Sequence, residues 1–198
     1  MGFSGHVVVA RSERPLPQAP VFDGVRDRLR DFVEECAPRP GGWRTLRIDH
    51  GVWEDGRLPA LVAWTGAPAC VAEVSDSDTA LVTGLSADGR RWQAWLNLDS
   101  VAALLAEEPD DLDDMSLWAG TPESDEAVRR KRAELDAEVA GDAAGALAWA
   151  AGAGVETGAG QHRIEEILRS NETFVEDLFD ALLDGLGFPQ AASPSPRE

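Results

Sequence analysis

Between Ala69 and Leu98 three short apolar runs are separated by two turn signals, Ser75-Asp76-Ser77-Asp78 and Ser86-Ala87-Asp88-Gly89. Asp and Ser side chains bond nearby backbone amides, and Gly accepts the positive φ that closes a hairpin. The spacing predicts an antiparallel three-stranded meander over Cys70 to Ser75, Thr79 to Leu85 and Arg91 to Leu98. In its last strand Trp92, Ala94, Leu96 and Leu98 share one face, while Gln93, Trp95 and Asn97 share the other. One face suits a core; the other suits partial cover.

Two further strands are expected ahead of this unit in the chain, the first of them beside the meander. Gly5 to Arg11 is rich in β-branched residues, and Trp43 to His50 alternates Leu46 and Ile48 against Thr45 and Arg47. Between them, Phe22, Val25, Leu29, Phe32 and Val33 recur at helical spacing, which predicts a helix from Val21 to Cys36. Short helices are expected at Leu58 to Thr65, with Pro59 in the first turn, and at Ser100 to Glu108, with Asp99 as cap.

The second half of the chain is helical in pattern. A helix is expected from Ser124, capped by that residue, with a break at Gly141-Asp142 and a new helix over Ala143 to Ala151. From Gln161 to Leu186, Ile164, Ile167, Leu168, Phe174, Val175, Leu178, Phe179, Leu182 and Leu186 hold one face, with a division allowed at Ser170-Asn171. The expected class is α+β: a mixed or antiparallel sheet of about five strands plus a helical C-terminal region. Residues 1–108 form the sheet domain in this reading and 109–123 an acidic connector. Residues 124–188 pack on the sheet or on a second copy, giving a possible homodimer through the helix 161–186, and 189–198 are a flexible tail.

Charge is the main functional signal. The net charge is −18, and residues 1–100 contribute −3 of it (11 basic, 14 acidic) against −15 from residues 101–198 (7 basic, 22 acidic). Such a field repels phosphate backbones and anionic lipid, so neither nucleic acid nor membrane is an expected partner. A basic protein partner is. The run Arg129-Arg130-Lys131-Arg132 follows Asp125 and Glu126 at four-residue spacing and reads as a self-neutralised helix surface. Cys36 and Cys70 suggest neither a disulfide framework nor a zinc site. The apolar run near the N-terminus is too short for a signal peptide or a span, so a reducing cytoplasm is expected.

Candidate binding residues are the aromatic and acidic groups outside the predicted core: Trp53, Glu54, Asp55, Asp110, Asp111, Asp113, Asp114 and Trp118. An aromatic anchor rimmed by carboxylates suits a basic partner. His50 is a weaker catalytic candidate, because Asp49, Glu54 and Asp55 stand close in sequence and a carboxylate can hold an imidazole in one tautomer. Glu73, Asp76 and Asp78 are weak candidates for a hard cation, although the glycine and later Glu of a calcium loop are absent. No phosphate loop or nucleophile motif is present, and no cofactor is expected. The favoured reading is an acidic interaction module of the immunity, antitoxin-like or adaptor kind. The alternative is a small enzyme using His50 with the nearby carboxylates, or a cation site at Glu73, Asp76 and Asp78.

Overall fold

The computed structural model describes residues 2–25, 33–36, 38–54, 56–107, 118 and 120–188. The fold is α+β, built on one antiparallel sheet of six strands in the order β2-β3-β1-β4-β5-β6. The strands are β1 (Gly5–Arg11), β2 (Val33–Glu35), β3 (Trp43–Asp49), β4 (Ala69–Ser75), β5 (Thr79–Leu85) and β6 (Arg91–Leu96). The helices are α1 (Arg57–Thr65), α2 (Leu98–Leu105), α3 (Pro122–Gly152), α4 (Gln161–Arg169) and α5 (Val175–Gly185).

β1 lies centrally, and six of its seven residues are buried. Alternation sends Val7 and Val9 to one face of the sheet and Val8 and Ala10 to the other. On the first face they join Cys70, Ala72, Val82, Trp92 and Leu96 beneath α2 to α5. On the second face Leu46, Ile48 and Val71 pack under α1 and the 3-10 turns Leu16–Gln18 and Pro20–Val25. Each fully buried aliphatic side chain contributes about 1.5–3 kcal/mol, so both layers are strongly held.

The meander forms where the turn signals place it, but the first turn differs in chemistry. It contains no glycine: Asp76 and Ser77 themselves take φ of 50° and 56°, the signs of a type I′ turn, and Asp78 N donates to Ser75 O at 2.9 Å.

The predicted helix over Val21 to Cys36 is not formed at either described end. Pro20–Val25 is a 3-10 segment, and Val33–Glu35 is a strand paired with β3, where Glu34 lies opposite Arg47. The open main chain of β3, which β2 pairs with, outweighs the helical periodicity there. Residues 26–32 fall outside the described residues.

The helical layer also differs from expectation in where its helices start and stop. α3 begins at Pro122 with Thr121 as cap, its Oγ1 accepting from Ser124 N at 3.1 Å, and it runs 31 residues without a break at Gly141. Leu135, Val139, Ala143, Ala146, Trp149 and Ala150 carry one buried stripe across that point. Gly145 permits contact: a Cβ there would stand 3.0 Å from Trp92 Cβ. α2 starts at Leu98 rather than Ser100, after Asn97 at φ 58°. The division near Ser170 is real: Ser170 ends α4, and α5 begins at Val175.

The apolar face of α4 and α5 is buried within the chain itself, Ile164, Leu168, Val175, Leu178, Phe179, Leu182 and Leu186 among it. Phe174, just ahead of α5, is the exception at 56% exposed. No helix among the described residues is long and apolar enough to cross a membrane.

Candidate interaction surface

The β4–β5 turn is a structural hub, which explains what its acids do. Ser77 N donates to Phe3 O, Ser77 O accepts from Val175 N, and Ser77 Oγ accepts from Phe3 N, each at 2.8 Å. Ser77 Oγ also donates to Glu176 Oε1 at 2.9 Å, and Arg47 Nη2 meets the same oxygen at 3.0 Å while its guanidinium lies 3.9 Å over the Phe3 ring. Asp76 Oδ1 accepts from Gly2 N at 3.0 Å, and Asp78 Oδ1 accepts from Ser100 Oγ at 2.9 Å. The two carboxylates therefore hold different segments and do not converge with Glu73. Among the described residues no group of three His, Cys, Asp or Glu could hold a metal ion.

His50 is exposed at the exit of β3, with its ring 6.4 Å from that of His6 and nearly parallel to it. His6, on β1 opposite Glu73, was not singled out by sequence reading; its signal is a position in the central strand. The space beside it, lined by His6, Trp53, Glu73, Thr83 and Arg91 among others, measures 20 Å³, room for about one water. Trp53 is no exposed anchor: it is 5% exposed, and its ring lies 6.0 Å from Phe22. Val52 and Trp53 turn inward together, which a turn-rich stretch of sequence does not reveal. Glu54 is exposed and pairs with Arg57 at 3.3 Å. Trp118 is half-buried. Asp55, Asp110, Asp111, Asp113 and Asp114 lie outside the described residues.

The acidic character is concentrated in the helical layer. Residues 120–188 hold 15 acidic and 6 basic side chains. The basic groups are largely consumed inside the layer. Arg132 reaches Asp99 at 2.7 Å and Asp136 at 3.3 Å, and Arg169 reaches Asp136 at 2.9 Å and Glu165 at 3.1 Å. Lys131 pairs with Glu134, Arg129 with Glu126, and Arg163 with Glu166. The hydrogen bonds from Arg169 hold the carboxyls of Asp136 and Glu165 below their ordinary range.

The surplus is what remains. Glu123, Asp125, Glu138, Asp142, Glu156, Glu172 and Asp177 have no ion pair among the described residues. Asp142 is half-buried, and its pKa is raised to about 6 by burial and then by the negative charge of Glu138 one turn away.

At the other end of the layer Arg39, 6% exposed, is clamped between Asp180 and Asp184 and also donates to Phe188 O. Phe188 packs edge-on against Trp43 with centroids 4.7 Å apart. Cys36 lies nearby, its pKa raised by burial and by Glu34 and Asp180; Cys70 is buried in the sheet and its pKa is raised by that burial. Both thiols are free.

Basic side chains line a cleft on the other side of the molecule. Arg11, Glu13, Arg14, Trp64 and Thr65 bound a 380 Å³ space, where the Arg14 guanidinium lies 4.6 Å over the Trp64 ring. Compared with protein families, curated proteins and solved structures, the chain matches none.

Proposed function

We propose that this protein is a binding module that engages a basic protein partner through its acidic helical layer, in the manner of an immunity, antitoxin-like or adaptor protein, and makes no bonds of its own. One observation carries the reading. The basic side chains of α3 and α4, Arg130 aside, are held by carboxylates of the layer or of α2, while Glu123, Asp125, Glu138, Asp142, Glu156, Glu172 and Asp177 keep their charge uncompensated. Uncompensated carboxylates on a rigid helical frame steer and orient a cationic surface.

A catalytic role for His50 draws less support, because the imidazole is exposed and the space beside His6 takes about one water. The two free thiols agree with a reducing cytoplasmic setting, which belongs to the same proposal.

The test is affinity capture from native lysate at low and at high salt, repeated with Glu138→Lys/Asp142→Lys. The reading expects a stoichiometric basic protein that is lost at high salt and lost with the double variant. Capture that is indifferent to both would refute it.

A further inference from the structure

The sheet ends in two unlike edges. β2 is three residues long and presents Glu34 and Glu35, the usual means of discouraging strand addition. β6 runs six residues with neither proline nor bulge. Its register sets which groups are open. Ser86 N donates to Arg90 O at 2.9 Å, so the ladder bonds fall on the pairs Gly84 with Trp92, Val82 with Ala94, and Ala80 with Leu96. The N–H and C=O of Arg91, Gln93 and Trp95 then point away from the sheet, and nothing among the described residues hydrogen-bonds to them.

α3 stands over this edge and runs antiparallel to it. Gly152 lies by Ser86 and Gly145 by Trp92. With about 3.3 Å per strand residue and about 1.5 Å per helical residue, Glu138 comes level with Trp95, and Asp142 lies between. Glu138, Asp142 and Gly145 recur four and then three residues apart, so they share the flank of the helix that overlooks β6. The open main chain is thus overlooked by two carboxylates that have no cation.

We infer that the β6 edge accepts an extended basic segment of the partner as a seventh strand. Main-chain bonds to Arg91, Gln93 and Trp95 supply the pairing. Alternate Lys or Arg side chains meet Glu138 and Asp142, and the apolar ones between them lie against the opposite face beside Gln93 and Leu81. A second copy of this chain is a poorer occupant, since two-fold pairing of β6 would bring a second α3, with its own Glu138 and Asp142, against the first. The inference rests on the basic-partner reading and adds where and how that partner binds.

The experiment titrates the full chain with three labelled octapeptides: alternating Lys-Val, alternating Gly-Lys of equal charge, and neutral alternating Thr-Val. Hydrogen exchange of the β6 amides is followed in parallel. The inference expects Lys-Val to bind about tenfold more tightly than Gly-Lys and to protect the amides of Arg91, Gln93 and Trp95. Gln93→Pro, which removes an outward N–H and leaves the β5 ladder intact, should erase the difference. Should that variant not fold, the wild-type exchange pattern decides alone. Equal binding of the two basic peptides without β6 protection overturns the edge site and leaves the basic-partner reading standing. Basic peptides that bind no better than Thr-Val overturn both. Self-association of the free protein that Gln93→Pro abolishes would assign the edge to a second copy and overturn the inference.

Discussion

Ser77 and Phe3, 74 positions apart, exchange two hydrogen bonds of 2.8 Å each, Ser77 N to Phe3 O and Phe3 N to Ser77 Oγ. This exchange, with the bonds to Val175 and Glu176, holds a serine at φ 56°, where a side chain costs on the order of 1 kcal/mol.

Two substitutions separate the parts of that arrangement. Ser77→Gly relieves the backbone but loses the hydroxyl bonds to Phe3 and Glu176, for a predicted net loss of about 1 kcal/mol. Ser77→Ala loses the same bonds and keeps the strain, for about 2–3 kcal/mol. Urea denaturation should rank them wild type, Gly, Ala. An alanine variant as stable as the glycine variant would show that the positive φ carries no cost.

Arg39 joins the loop before β3 to α5. Arg39→Met removes the charge shared by Asp180 and Asp184 and frees Phe188 O. Because both carboxylates are partly exposed and can rehydrate, the predicted loss is about 2–4 kcal/mol, at or below the usual range for breaking a buried pair. Chemical denaturation measures it, and an unchanged midpoint would contradict the clamp.

The glycines of α3 differ in what surrounds them. A Cβ at Gly141 meets nothing within 4 Å, so Gly141→Ala should gain up to about 1 kcal/mol of helix stability. At Gly145 the same change presses on Trp92 Cβ at 3.0 Å, and the gain should vanish or reverse. Thermal melts of the two variants should therefore move apart.

Asp142 gives a pH signature. Its folded pKa, about 6, lies above the ordinary 3.8, so the folded chain binds the proton more tightly and ionisation works against folding. The penalty is absent below pH 3.8, grows as pH rises to about 6 and is full above that. Asp142→Asn should raise Tm at neutral pH by a few degrees, on the order of 1 kcal/mol after allowance for solvent screening. Near pH 4 the difference should disappear. Effects of Asp136 and Glu165, whose pKa values are lowered, are common to both proteins and cancel in the comparison.

What the sequence made legible was local. The meander, α1, β3 and the amphipathic face of α4 and α5 follow from periodicity and turn chemistry within a few residues. β2 escaped because Val33 to Glu35 satisfies the edge of β3, a neighbour that no short window contains. The continuity of α3 escaped because Gly141 reads as a stop unless the stripe from Leu135 to Trp149 is seen to rest on the sheet. The charge asymmetry was readable from composition. The open edge was not, since it depends on β6 being the last strand, and Trp53 was misplaced because its partner Phe22 is distant in sequence.

The most direct test of the account is the affinity of the purified partner complex measured from about 0.05 M to about 0.5 M salt, for the wild type and for Glu138→Gln/Asp142→Asn. The account predicts that affinity falls steeply with salt for the wild type and less steeply for the double variant. An affinity that holds constant across the range, with or without those carboxylates, would contradict it.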